Sequence, residues 1–126
     1  MEQALKYELL QEIPELSSQI YPTNAPEDVL KPYLVYIRIS TTRGKTLEGY
    51  INNQAISYMF SVMAERYGNM VELRNKIEQL LLSLPKRNIG KDGSIYVEDL
   101  DINNIDEQYE HELKVNRGII DFTIYT

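Results

Sequence analysis

The apolar residues of this 126-residue chain change their spacing three times, from helical to two, back to helical, and to two again. Each change marks a change of element, because helices and strands bring side chains to one face at different intervals. Leu5, Leu9 and Ile13 recur every four residues, with Leu10 widening the stripe, which predicts a helix from Glu2 to about Glu12. Pro14 limits it, since the residue before a proline is pushed out of the helical region. Glu15–Ile20 can add one more turn. Tyr21-Pro22-Thr23-Asn24-Ala25-Pro26 and then Pro32 predict an extended stretch with little regular structure.

From Tyr33 the period is two. Tyr33, Val35, Ile37 and Ile39 fall on one side of a strand and Leu34, Tyr36, Arg38 and Ser40 on the other. Thr41–Asn53, rich in Gly, Thr, Asn and charge, is too long for a tight turn and is expected to be a projecting loop. A second strand, about Gln54–Glu65, sets Ile56, Tyr58, Phe60, Val62 and Ala64 against Ala55, Ser57, Met59, Ser61 and Met63. Gly68-Asn69 then opens a helix, with Asn69 as N-cap and Glu72 completing a capping-box-like pair. Its stripe is Met70, Leu73, Ile77, Leu80, Leu81 and Leu84, and Pro85 stops it. After a turn at Asn88–Gly93, strands are predicted from about Ser94 to Ile102 and from about His111 to Tyr125. In the last, Leu113 and Val115 are out of step with Ile120, Phe122 and Ile124, so a bulge is expected at Gly118.

The order is therefore α-β-β-α-β-β, with no internal repeat and no linker long enough to divide it. A chain of this length forms one domain of ordinary size, residues 1–126. Two amphipathic helices can cover only one face of the sheet, which predicts an α+β two-layer sandwich. Its sheet is expected to be four-stranded and mainly antiparallel, with both helices on one face. The uncovered face would show Leu34, Tyr36, Met59, Met63, Ile119 and Tyr125, a patch apolar enough to mark a partner unless loops or the N-terminal extended arm cover it. Ten Tyr against two Phe suit half-wet positions on such a surface.

Charge and composition narrow the function. Thirteen Lys and Arg against nineteen Asp and Glu give −6, and such a domain repels a phosphate backbone. The one local basic cluster, Lys86, Arg87 and Lys91, reads as solvated loop charge. No apolar run approaches the ~20 residues of a membrane span, and Met1-Glu2-Gln3 carries acid where a signal peptide carries base. With no Cys there is no thiolate nucleophile and no Cys-ligated zinc. His111, the only histidine, sits between Glu110 and Glu112. No Ser lies in a G-x-S-x-G sequence and no Gly-rich loop could cradle phosphate.

Asp99, Asp101, Asn103 and Glu110 have the spacing of a calcium-loop motif. Asn104 replaces its turn glycine, however, Asp106 replaces its aliphatic residue, and the flanks are strands. The segment is therefore expected to be a metal-indifferent acidic strand edge or connection. No catalytic residue, metal ligand or cofactor site is expected, and nothing in these residues argues for an enzyme.

The ordered pieces resemble the tail-completion proteins of long-tailed phages and prophages, also called tail terminators or head-to-tail joining proteins. An amphipathic helix leads to Ile20-Tyr21-Pro22-Thr23-Asn24-Ala25-Pro26, then to the proline–aromatic–aliphatic run Lys31-Pro32-Tyr33-Leu34-Val35-Tyr36. A polar loop ends in Leu47-Glu48-Gly49. A strand passes into a second helix at Ala64-Glu65-Arg66-Tyr67-Gly68-Asn69, and Ile119-Ile120-Asp121-Phe122-Thr123-Ile124-Tyr125 closes the chain. The resemblance covers nearly the whole sequence, departing at Met63-Ala64, where many members carry a tryptophan before the alanine.

The resemblance implies a structural virion protein that forms a ring, usually of six subunits. That ring caps the tail tube and docks to the head connector or stopper protein. It also implies assembly in the bacterial host cytoplasm and residence at the tail–head junction. An acidic subunit suits a lumen through which DNA must slide without sticking. The expected contacts to the neighbouring subunit or tail tube are Leu47, Tyr50 and Ile51, apolar anchors among Arg43, Lys45 and Glu48 in the loop, together with Tyr36, Met59 and Met63. The alternative is a dimeric ferredoxin-like regulatory or ligand-binding module, which solution mass would distinguish.

Overall fold

A computed structural model describes residues 1–16, 19–25, 31–46, 49–112 and 114–126, with the backbone alone for 44–46 and 49–52. Helix α1 spans Glu2–Glu12 and is followed by a 3-10 turn, Pro14–Leu16. Strands β1 (Ile20–Pro22), β2 (Tyr33–Thr46) and β3 (Gly49–Ala64) lead to helix α2 (Tyr67–Leu82). A small hairpin of β4 (Arg87–Ile89) and β5 (Ile95–Val97) precedes β6 (Asp99–Glu110) and β7 (Val115–Tyr125).

The α+β architecture has both helices on one face of the sheet, as the periodicities imply, but the sheet is not four-stranded. It has five strands in the order β1-β2-β3-β7-β6, with β4 and β5 in a separate pair. The sheet is also mixed: β1 runs parallel to β2, and the other pairs are antiparallel. The extra strand lies in the proline-bounded stretch expected to be irregular. Ile20 supplies a buried anchor there, and Tyr21 sits opposite Val35.

One cluster joins the layers. Leu5, Leu9, Ile13, Met70, Leu73, Ile77 and Leu81 pack on Ile56, Tyr58, Phe60, Val62, Ile120, Phe122 and Ile124, with Ile89 and Val97 of the small hairpin beneath α1. The predicted stripe of α2 thus meets the predicted face of β3. At the centre Tyr58 stacks on Phe122 at 5.6 Å, and Phe60 meets Phe122 edge-on at 4.8 Å. Such pairs contribute about 0.5–1.5 kcal/mol each beyond their buried area.

Four local expectations are overturned. Leu34 and Tyr36 face the helices, because β2 pairs Leu34 with Val62 and Tyr36 with Phe60, which puts them on the core side. Both alternating sets of β2 are apolar, so periodicity alone cannot choose a face. Arg38 follows them to the core side, where it lies 5.8 Å over the Tyr58 ring and reaches Glu2 of α1 at 2.7 Å.

Asn69 is not the cap of α2. The helix begins at Tyr67, with extended Arg66 as N-cap and no side-chain capping bond, because tertiary contacts seat the first turn. Tyr67 donates to Glu107 at 2.7 Å, and Arg74 to the same carboxylate at 2.9 Å.

Gly118 is not a bulge. The β3–β7 register runs unbroken through Val62↔Gly118, and the β6–β7 shift lies between Ile102 and Asn104. Glycine is needed at 118 because Met70 of α2 comes down on that point. The last strand starts at Val115, and Leu113 lies outside the described residues.

Finally, the segment Thr41–Asn53 is not a loop in its described part. β2 continues to Thr46 and β3 resumes at Gly49, so the two strands extend as one long hairpin. Thr41, Thr42 and Arg43 are exposed, and a strand without an apolar face is not revealed by a core-seeking hydrophobic pattern.

Candidate functional site

Three surfaces of the sheet lack the cover that α1 and α2 give the core face. The first is the hairpin. The last contact between β3 and β7 is the exchange of backbone bonds between Gln54 and Thr126 at 3.0 and 3.1 Å. Gly49–Asn53 and the facing end of β2 continue past that point as a two-stranded arm, an overhang of roughly 15 Å at about 3.3 Å per residue. Within the arm Lys45 stands opposite Tyr50, and the register shifts between Arg43 and Lys45. Of the expected contact residues, Tyr50 and Ile51 therefore lie on β3 in the arm, while Leu47 lies outside the described residues.

The second is the open face. Ile37, Met59 and Asp121 form one row across β2, β3 and β7. Met59 is half-buried there. Met63, only 8% exposed, is closed into a small cluster with Tyr33, Val35 and Val115, against which Tyr21 and Ala25 pack. The extended segment after β1 thus covers one end of this face. Tyr36 is not on it; half-buried on the helix side, it lies 6.5 Å from Phe60.

Much of the remaining open face is a polar network. Arg117 bonds Ser61 and Glu110, Ser57 shares a bond with Thr123 at 2.9 Å, Asn103 donates to the same Thr123, and the Tyr125 hydroxyl donates to Asp101. The Asp121 carboxylate has one buried oxygen without a hydrogen-bond partner. The alternation Arg117, Asp121, Thr123 along β7 is the signal from which this network could have been read.

The third is the outer edge of the sheet. β6 is flanked on one side by β7, and no described strand lies on its other side. Seven consecutive residues, Asn103–Tyr109, are exposed, among them Ile105 and Tyr109. A strand normally hides every second residue, so this run is open to solvent, with Tyr67 and Arg74 of α2 reaching it at Glu107. Asp99 and Asp106 each accept the backbone amide of the following residue at 2.8 Å.

The one large resolved pKa shift is at Tyr58, whose hydroxyl is pushed up to about 12, chiefly by burial. Burial also raises Tyr33. Glu107 is held below the ordinary carboxylate range by the Tyr67 hydroxyl and then by Arg74. A concavity of about 1010 Å³ lies between the start of α1 and the β4–β5 turn and is lined by Glu2, Tyr7, Tyr36, Lys91, Asp92 and their neighbours. Among the described residues no group of three His, Cys, Asp or Glu is placed to hold a metal ion.

Residues 7–126 match the protein family described as Tail completion protein gp17. No curated protein matches the chain. Among solved structures, a chain of the virion of a native gene transfer agent particle shares the fold with a TM-score of 0.68. That match covers 97% of this chain and 93% of the other at 11% sequence identity, a likeness of fold.

Proposed function

This chain belongs to the tail completion protein gp17 family, and from that membership we propose that it caps the finished tail tube as a hexameric ring and joins the tail to the head. It acts as a structural protein of a long-tailed phage or prophage, at the tail–head junction, after assembly in the bacterial host cytoplasm. Its partners are further copies of itself, the tail tube protein on one side and the head connector or stopper protein on the other. No cofactor or metal enters this role, and no bond is made or broken.

The observation that carries the reading is the arm. Thr41–Arg43, where β2 enters the arm, are exposed, and isolated two-stranded hairpins are marginal in water. An arm of this kind is worth building where a second surface receives it. Leu47, Tyr50 and Ile51 are its apolar anchors, set among Arg43, Lys45 and Glu48 as a charged rim. Met59, half-exposed on the open face, is a secondary contact.

Replacing Leu47, Tyr50 and Ile51 together with Ser tests this. The variant is expected to keep its fold, because none of the three belongs to the alternating apolar faces of the strands in the sequence. It loses ring formation or tail completion. A triple variant that assembles and joins heads to tails normally removes the arm from the account.

A further inference from the structure

Two long strand edges have no strand partner among the described residues, and they lie on opposite sides of one sheet. β1 covers β2 only at Leu34–Tyr36, so Ile37–Thr46 has no strand neighbour on that side among the described residues. Among the described residues no strand lies along the outer edge of β6. A bare edge of this length is a template for adding a strand, and proteins blunt it unless it is used.

The two edges complement each other. The free part of β2 carries Arg38, Arg43 and Lys45 and no acid, and Arg43 is exposed. β6 carries Asp99, Asp101, Asp106, Glu107 and Glu110 and no base. Within the subunit Arg38 is taken by Glu2, Glu107 by Arg74 and Glu110 by Arg117. The described salt bridges leave Asp101 and Asp106 without a cation and Arg43 without an anion.

Each edge also exposes large apolar side chains, Ile39 at 58% on β2 and Ile105 at 36% and Tyr109 at 48% on β6. Water-exposed isoleucines beside unpaired backbone donors and acceptors are what strand addition would cover.

We propose that the free edge of β2 in one subunit pairs with the outer edge of β6 in the next copy, so that the sheets of neighbouring subunits join. The contact uses two different surfaces of the same chain. It is therefore heterologous, and repetition closes into a ring where the rotation allows. This deepens the ring reading and rests on it. It assigns the subunit-to-subunit contact to the two sheet edges and leaves the tip of the arm to meet the tail tube.

The test uses charge reversal and cross-linking in full-length protein, with ring formation read by native mass spectrometry and folding by circular dichroism. Arg43→Glu with Lys45→Glu, and separately Asp101→Lys with Asp106→Lys, should each lower the ring fraction about tenfold or more, because like charges then face each other. Combining all four substitutions should restore it. Rings that persist in either double variant overturn the edge pairing while leaving the ring reading intact. No ring from the unaltered protein, alone or on tail tube ends, overturns both.

Because the chain has no cysteine, cross-linking supplies an answer that does not depend on the charge variants folding. Arg43→Cys protein mixed with Asp101→Cys or Asp106→Cys protein should give a disulfide-linked heterodimer under mild oxidation. Absence of that product with both partners, in samples that form rings, overturns the proposal.

Discussion

Met70 and Gly118 compete for one volume: a Cβ placed on Gly118 would lie 2.7 Å from the Met70 sulfur and 3.2 Å from Val62 Cγ1. Helix α2 therefore sits as close to β7 as a strand without a side chain allows. Gly118→Ala is expected to destabilise the fold by about 1–3 kcal/mol, the range for forcing an extra methyl into a packed core. In a Met70→Ala background the same change should cost less, because the shortest contact is then removed and the Val62 and Arg74 contacts remain. Denaturant titration of the four proteins measures the coupling, and a cost that is unchanged by Met70→Ala contradicts the contact.

Leu81 lies near the middle of the buried α2 stripe and is 1% exposed. Leu81→Ala should lose roughly 2–5 kcal/mol, as buried leucine truncations do. A loss below about 0.5 kcal/mol, the scale of an ordinary surface change, would mean that α2 does not pack as described.

Acid should loosen the attachment of α2 to β6. The Tyr67 hydroxyl, followed by Arg74, lowers the Glu107 pKa, so the carboxylate binds its proton less readily folded than unfolded. Its contribution is present above the unfolded carboxylate value of about 4.3 and is lost as pH falls through the lower folded value. Glu15 behaves alike, lowered first by the bond from Lys76. Thermal melts of Glu107→Gln between neutral pH and about pH 3 should therefore show a shallower acid decline than those of the unaltered protein. Parallel curves would exclude Glu107 as a titrating anchor.

Calcium should leave the melting temperature unchanged. Asp99–Glu110 is an extended strand paired with β7, so its carboxylates cannot wrap one ion as a loop does. A ligand that bound only the folded state would raise stability by mass action, and a clear rise at millimolar calcium would contradict the strand assignment.

How far the fold was legible follows from how strongly each pattern excluded its alternative. On β3 the faces were clear, because Ser57 and Ser61 oppose Tyr58, Phe60 and Val62. On β2 the set Tyr33, Val35, Ile37 is as apolar as Leu34 and Tyr36, and only pairing with β3 selects the core face. β1 escaped notice because three residues between prolines show no period. The length and apolar content of Thr41–Asn53 marked it as a projection, although Thr, Gly and charge concealed that it is stranded. For Asp99–Glu110 an acidic strand edge and a connection were both open, because Asp-Ile-Asn-Asn-Ile-Asp-Glu is poor in strand formers, and its bonding to β7 makes it the strand edge. The gap at Gly118 depends on where α2 crosses, which no local pattern encodes.

The central claim is a structural role in completing the tail, and it is tested most directly by electron microscopy of particles assembled in host cells that lack a working copy of this chain. The account predicts filled heads and tails that remain apart, with joining restored by the unaltered protein and not by the Leu47, Tyr50, Ile51 triple Ser variant. Complete particles, with heads joined to tails in the absence of the chain, would contradict it.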